Sequence, residues 1–155
     1  MESGTLFRGV NNINLDAKGR LAIPTRYRDL LSEHCNGHLV VTIDTDERCL
    51  LIYPLPRWED IQRKVESLSS FNPASRRVQR LLIGHATDIQ LDTNGRILLT
   101  SPLREYAKLE KKAVMLGQGH KLELWSEEHW IERRDAWVDE ESTMEGPTEL
   151  QMLSL

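Results

Sequence analysis

Apolar and polar positions alternate over 9–15 and again over 20–23, and Asp16, Ala17, Lys18 and Gly19 stand between the two runs. The pattern predicts a hairpin, with period two turning one strand face inward and Gly19 free to take a positive φ in the turn. A sharper copy follows: 88–91 and 96–99 flank Asn94 and Gly95, the strongest short-range hairpin dipeptide. Pro24 ends the first strand pair, while Ser101 as N-cap and Pro102 behind it predict a short helix through Leu103 and Tyr106 to Leu109. Apolar runs at 39–43 and 49–53, answered by 113–116 and 121–125, predict two further hairpins, the second turning at Gly117 and Gly119. Trp58, Ile61, Val65 and Leu68 form one helical stripe. Trp130, Ile131, Arg134, Trp137 and Val138 form another, behind the N-cap Ser126 and the acidic Glu127 and Glu128. Both stripes are faces for a core or a subunit contact. Between them Asn72 and Pro73 open a helix with Val78, Leu81 and Leu82 on one side and Arg76, Arg77 and Arg80 on the other, stopped by Gly84.

The order hairpin, short helix, hairpin, helix is therefore used twice. Asp16, Gly19, Arg20 and Arg28 recur as Asp92, Gly95, Arg96 and Arg104 at an offset of 76, and Tyr53 and Trp58 recur as Trp125 and Trp130 at an offset of 72. The first repeat thus carries four more residues between Arg28 and Tyr53, a length difference that loops tolerate. One supersecondary unit repeated within a chain, with an arginine at each turn, fits a pseudo-symmetric binder of a repetitive partner. The division expected is a first repeat at 6–70, a linking helix at 71–84, a second repeat at 85–138 and an acidic tail at 139–155, the last mobile unless a partner subunit covers its leucines.

Half of 155 residues is too little to bury a core alone, so the repeats are expected to fold together. With 39% hydrophobic and 28% charged residues, no apolar run long enough to span a membrane and no signal peptide, the chain is expected to be cytoplasmic. Cys35 and Cys49 have no metal-ligand spacing and suit a reducing compartment. The net charge of −4 is uneven: 139–155 holds five acids and no Lys or Arg, leaving the rest of the chain at −4 + 5 = +1. Residues 1–31 carry five cations against three acids, a local +2. Nucleic acid is not excluded by such a distribution, but a tight monomeric DNA binder is expected to be more basic.

An arginine at the end of a turn presents a planar, permanently charged fork that matches guanine O6 and N7, or a phosphate. Arg20 and Arg96 are the first candidates, with Lys18, Arg28, Arg104 and Arg8 as further DNA contacts, and Asp16, Gly19, Asp92 and Gly95 as turn-fixing residues. The alternative is that each turn arginine pairs with its own aspartate four positions earlier and only holds the turn; for Arg28 and Arg104 it is a structural role on a short helix. Lys18 and Arg26 have no basic counterpart, since Asn94 and Pro102 stand in repeat two. Arg76, Arg77 and Arg80 read first as a solvated face, with DNA or a neighbouring subunit as the lesser alternative. His120, Glu123 and His129 do not make a metal site, because residues three apart on a strand face opposite sides and no His-Glu-x-x-His or Cys-x-x-Cys spacing occurs. No hydrolase elbow, P-loop or dinucleotide glycine pattern is present, so neither an enzyme nor a cofactor is expected. Trp125, Trp130 and Trp137 read as core or interface anchors.

The run Asp16, Gly19, Arg20, apolar 21 and 23, Pro24, Tyr27 and Arg28 resembles the AbrB-type swapped-hairpin DNA-binding motif. Doubled, and joined by Phe7, Arg8 and Gly9 near the start and by Glu123, Leu124 and Trp125 late, it resembles the MraZ family of transcriptional regulators over about residues 6–138. The resemblance implies an α+β fold in which hairpins of the two repeats interleave into a tandem AbrB-like β-barrel with flanking helices. It further implies a ring-shaped homo-oligomer, nucleoid-associated, that binds short G-rich direct repeats and represses the bacterial division and cell-wall gene cluster, its own promoter included. The family's Asp-x-x-x-Arg motif falls on Asp16 with Arg20 and on Asp92 with Arg96. Repeat two departs in having Thr100 for Pro24 and no basic residue at 94 or 102, so it is expected to add less to DNA affinity. The rival reading is an antitoxin-like protein-interaction scaffold built on the same barrel; a metal-dependent hydrolase is a remote third.

Overall fold

The computed structural model describes residues 6–140 and 148–153. Its elements are β1 (Phe7–Asn14), β2 (Arg20–Ala22), α1 (Thr25–Cys35), β3 (His38–Ile43), β4 (Leu50–Pro54), α2 (Leu55–Glu66), α3 (Pro73–Val78) continuing as a π-helical turn over Gln79–Ile83, β5 (Thr87–Gln90), β6 (Arg96–Leu98), α4 (Ser101–Tyr106), β7 (Lys112–Gly119), β8 (Leu122–Ser126), α5 (Glu127–Glu140) and α6 (Thr148–Gln151). Of the expected acidic tail, Glu141 and Glu145 lie outside the described residues. No helix among the described residues is long and apolar enough to cross a membrane.

Both repeats contribute to one antiparallel sheet of order β1-β7-β8-β4-β3-β5, and β2 pairs with β6 as a separate ribbon. The first strand of each repeat pairs with the third strand of the other: β1 with β7 from Phe7↔Gly119 to Asn14↔Lys112, and β5 with β3 from His38↔Gln90 to Val41↔Thr87. Two further ladders are centred on equivalent residues, β2·β6 on Leu21↔Ile97 and β4·β8 on Leu51↔Glu123. Since 97 − 21 = 76 and 123 − 51 = 72 are the two repeat offsets, a pseudo-two-fold axis passes through both pairs. A mixed α+β chain with a largely antiparallel sheet is what the structure has. The closed barrel expected from the resemblance is not found: β1 and β5 stand at opposite ends of the six-stranded sheet, and no ladder joins β1 to β2, only the isolated bridge Leu15↔Leu21 just past the end of β1. Three-residue strands are too short to carry a ladder back along β1 and close the sheet.

The alternation in each strand decides which residues fill the interior. Leu21 and Ile97 point inward from the ribbon and join Phe7, Ile23, Tyr27, Leu31, Leu39, Ile52, Leu99 and Leu124 in the main cluster beneath α1 and α4. Phe7 and Tyr27 meet edge to face at 5.6 Å, and the Tyr27 hydroxyl donates to the Arg8 carbonyl at 2.7 Å, so the ring's polar end is satisfied where α1 crosses the start of β1. A second cluster gathers Val40, Tyr53 and Trp58 under the α3 turn, and a third gathers Val114, Leu116 and Trp125 beneath Trp130 and Trp137 of α5.

Three expectations are corrected. Gly117 and Gly119 lie within β7 and the turn falls at His120 and Lys121; a Cβ at Gly117 would stand 2.3 Å from the Arg8 backbone nitrogen, so that glycine permits the close approach of β1 rather than a bend. The helix after β6 is capped at Thr100 rather than Ser101, whose hydroxyl instead accepts from Arg104, and it ends at Tyr106 because Lys108 takes a positive φ. Leu68 lies beyond the end of α2 and is exposed. The Asn72 cap is as expected, its side chain accepting from the Ala74 amide at 2.8 Å.

Because β1, β2 and β5 each find their ladder partner only in the other repeat, a fragment of residues 1–83 is expected not to fold as a monomer. Size-exclusion chromatography with thermal melting checks this; a monomeric fragment with a cooperative melt contradicts the exchange of strands as the source of stability.

Candidate nucleic-acid interface

Each predicted turn is built by one carboxylate. In repeat one, Asp16 Oδ1 accepts the Lys18 and Arg20 amides at 2.9 and 3.0 Å while Oδ2 accepts Arg20 Nε at 2.8 Å. In repeat two, Asp92 Oδ1 accepts the Asn94 and Arg96 amides at 2.8 Å each, and Arg96 Nε stands 3.5 Å from Oδ2, too far for a hydrogen bond. The second copy is the looser one. The Arg20 amide, then the Arg20 side chain and the Lys18 amide, hold the Asp16 carboxyl down at about 2, and the Arg96 amide lowers Asp92 in the same way. Both carboxylates are held below their ordinary range; Asp16 orients Arg20 through a hydrogen bond, while Asp92 faces Arg96 only as an ion pair.

The repeats also lock each other's turns. Ile23 N donates to the Gly95 carbonyl and Leu99 N to the Gly19 carbonyl, both at 2.9 Å. Arg28 lies against the turn of repeat two, where a Cβ at Gly95 would be 2.3 Å from its Nε, and Arg104 lies against the turn of repeat one, where a Cβ at Gly19 would be 2.6 Å from its Nε. Gly19 and Gly95 have φ of +89° and +75°, so the glycines are required twice over, by conformation and by the guanidinium above them. Arg28 Nε donates to the Ile23 carbonyl and Arg104 Nε to the Leu99 carbonyl, each at 3.2 Å. Arg28 and Arg104, read as further DNA contacts with a structural role on a short helix as the alternative, are half-buried and cross-brace the turns.

What sequence patterning did not reveal is that the two turns share one surface. In the β2·β6 ribbon Arg20 opposes Leu98 and Ala22 opposes Arg96. With Leu21 and Ile97 inward, Arg20, Ala22, Arg96 and Leu98 form the outer face, with Ala22 exposed and Leu98 54% exposed. Two residues of strand separate the arginines, about 7 Å along the ribbon. They are related by the pseudo-two-fold axis, their side chains are 37% and 38% exposed, and neither has a hydrogen bond to Nη among the described residues. Lys18 projects from the first turn, exposed. Arg8 is on the edge strand β1, outside the ribbon, where its carbonyl accepts from Arg26 Nη2 at 2.8 Å. The partner of each three-residue strand is 76 positions away, and nothing local signals it.

The residues weighed for a metal are apart: His120 is in the β7–β8 turn, Glu123 on β8 accepts from Trp125 Nε1, and His129 stacks on Trp125 at 5.3 Å. Among the described residues no group of three or more His, Cys, Asp or Glu could hold a metal ion. Burial raises the Glu123 carboxyl and the Cys35 and Cys49 thiols, which makes both thiols poor nucleophiles.

The sequence model of one protein family, described as "MraZ protein, putative antitoxin-like", matches residues 6–81 and again residues 82–151. Proteins named "Transcriptional regulator MraZ" from Halorhodospira halophila and Legionella pneumophila are each 54% identical to this chain, and one from Coxiella burnetii is 55% identical; the alignments span 97% of this chain and all of each relative.

The Asp16 geometry sets an acid limb. Its folded value of about 2 lies below the ordinary 3.8, so its contribution to stability is complete above that value and is lost as pH falls through about 2. Asp16→Asn is expected to lower the melting temperature at about pH 6 and to converge with wild type near pH 2, where the native carboxyl is itself protonated. Melting followed by circular dichroism over this range checks it; an offset that stays constant into acid contradicts the ionised turn.

Proposed function

The chain belongs to the MraZ family, and from that premise we propose that it is a sequence-specific DNA-binding transcriptional regulator, a repressor of the bacterial division and cell-wall gene cluster, cytoplasmic and nucleoid-associated. It binds short G-rich direct repeats as a ring-shaped homo-oligomer, each subunit using an AbrB-like pair of interleaved hairpins. The repeats at 6–70 and 85–138, joined by the linking helix at 71–84, are its working parts, and the acidic tail at 139–155 follows them.

The observation that carries this reading is the outer face of the β2·β6 ribbon. A two-stranded ribbon has the width of the major groove, and this one offers two arginine forks about 7 Å apart with Ala22 and Leu98 between them. Asp16 engages the Nε edge of Arg20, which leaves the two Nη groups to donate to guanine O6 and N7. Ala22 and Leu98 suit a thymine methyl. Lys18 supplies a phosphate contact beside the first turn, Arg28 and Arg104 act as positioning residues that add charge behind the turns, and Arg8 makes a peripheral phosphate contact. With the aspartates counted the first turn carries +1, from Lys18, and the second is neutral, so one subunit displaces few counterions and binds weakly; several subunits on one assembly raise affinity through effective concentration.

Arg20→Ala and Arg96→Ala are each expected to cost about 1–3 kcal/mol against a G-rich repeat and to relax base preference at one position, with an unchanged melting temperature. Fluorescence anisotropy against the cognate repeat and single-base variants reads both effects. Equal losses on every sequence would reduce the arginines to phosphate contacts, and a lowered melting temperature with unchanged affinity would leave them as turn braces.

Affinity is also expected to climb steeply from duplexes with one repeat to those with two and three at fixed salt. Titrations in which repeat number makes no difference contradict multivalent binding. Salt-insensitive DNA binding together with retention of a partner protein would favour the antitoxin-like scaffold.

A further inference from the structure

The pseudo-two-fold axis relates α2 to α5, yet the surfaces outside these helices differ in charge and are both apolar at the centre. On the repeat-one side, Phe71 is 94% exposed and Leu68 is exposed beside it. They immediately precede a helix bearing Arg76, Arg77 and Arg80, all exposed and with side chains that make no hydrogen bond or ion pair among the described residues. From 67 to 87 there are three arginines and no acid, a net +3. On the repeat-two side, Ile131 and Val138 are 43% and 65% exposed and seven residues apart, so they share one stripe on α5. Their counterparts in α2, at the offset of 72, are Glu59 and Glu66. Residues 127–140 hold six acids against two arginines, a net −4; Arg134 is paired with Asp135, while Glu128 and Asp139 make no hydrogen bond or ion pair among the described residues.

We infer that these two surfaces bind each other between copies of the chain, the Phe71 and arginine corner of one subunit seating on the Ile131 and Val138 stripe of the next. The occupant is a second copy because each surface supplies what the other lacks, opposite charge around an exposed apolar centre. A large exposed aromatic and an i, i+7 apolar pair are a cost to a subunit that stays alone. The contact is heterologous, since different patches meet, so every subunit keeps one free patch of each kind and the chain of contacts continues until it closes. The inference rests on the self-association proposed above and not on DNA binding.

The test uses two full-length variants followed by native mass spectrometry and sedimentation without DNA. The first is Arg76→Glu with Arg77→Glu and Arg80→Glu; the second is Ile131→Ser with Val138→Ser. Each is expected to melt as wild type does and to be monomeric where wild type assembles. Mixed one to one, they are expected to form a dimer and stop, because each contributes its intact patch to a single junction. Should the first variant melt lower, Phe71→Ser alone takes its place. Wild type that stays monomeric overturns both the inference and the proposed self-association. Variants that assemble like wild type, or a mixture that stays monomeric, overturn the inference while leaving self-association standing.

Discussion

The sheet-facing backbone donors and acceptors of β1 need partners, and β7 of the other repeat supplies them over the strand's whole length. An eight-residue strand left without that ladder would be a sticky edge, and β3 meets the same demand with β5. This reciprocal pairing is what the remaining structure hangs on. It places the two four-residue turns on either side of one axis, forces the short strands that follow them to pair with each other, and delivers the Gly19 and Gly95 carbonyls to Leu99 and Ile23. The turn conformations, and the arginines that leave them, are thus consequences of long-range pairing as much as of local sequence.

Fusing both halves in one chain frees each to diverge, as a two-chain dimer cannot. Thr42 in the first repeat donates to the Leu82 carbonyl and ties the π-helical turn to the sheet, whereas Leu116 stands at the equivalent place in the second and lies under the tryptophans of α5. Ile61 in the second cluster is replaced by Arg133, which grips Glu47 through two hydrogen bonds of 3.0 Å and covers the Trp137 ring. One half-buried, charge-paired arginine over an indole holds α5 to the loop after β3 where repeat one uses plain apolar packing. The same freedom leaves the Asp16 turn tight and the Asp92 turn loose.

Legibility in the sequence followed the range of the interaction. The turns were readable because Asp-x-x-Gly-Arg and Asn94-Gly95 act within five residues, and the observed carboxylate bonds span no more than four. The helices were readable from Trp58, Ile61 and Val65, whose spacing is a property of one element. What period two cannot state is a strand's partner: alternation gave each hairpin an inward face but carried no sign that Leu21 and Ile97 face each other across the axis, or that the sheet stays open. Gly117 was misread for the same reason, because a glycine needed for the close approach of a distant strand looks in sequence like a glycine needed for a bend. A structural role for Arg28 and Arg104 could be weighed from their short helices, but not what they brace, because the turn that each braces belongs to the other repeat.

The Asp16–Arg20 pair is exposed on both sides, and such pairs add little to stability. Its effect is on conformational freedom. A free arginine side chain loses roughly 2 kcal/mol of rotamer entropy when it is fixed against a ligand. With Nε held by Oδ2 and the stem set on a ribbon whose inner face is core, much of that loss is taken on folding, and the outward Nη edge meets a ligand already oriented. The same aspartate cancels the charge that would attract any phosphate backbone indiscriminately. A turn built in this way gives up non-specific attraction for directional fit, which is why the function proposed above draws its strength from repeating the turn, twice within the chain and again across the proposed assembly.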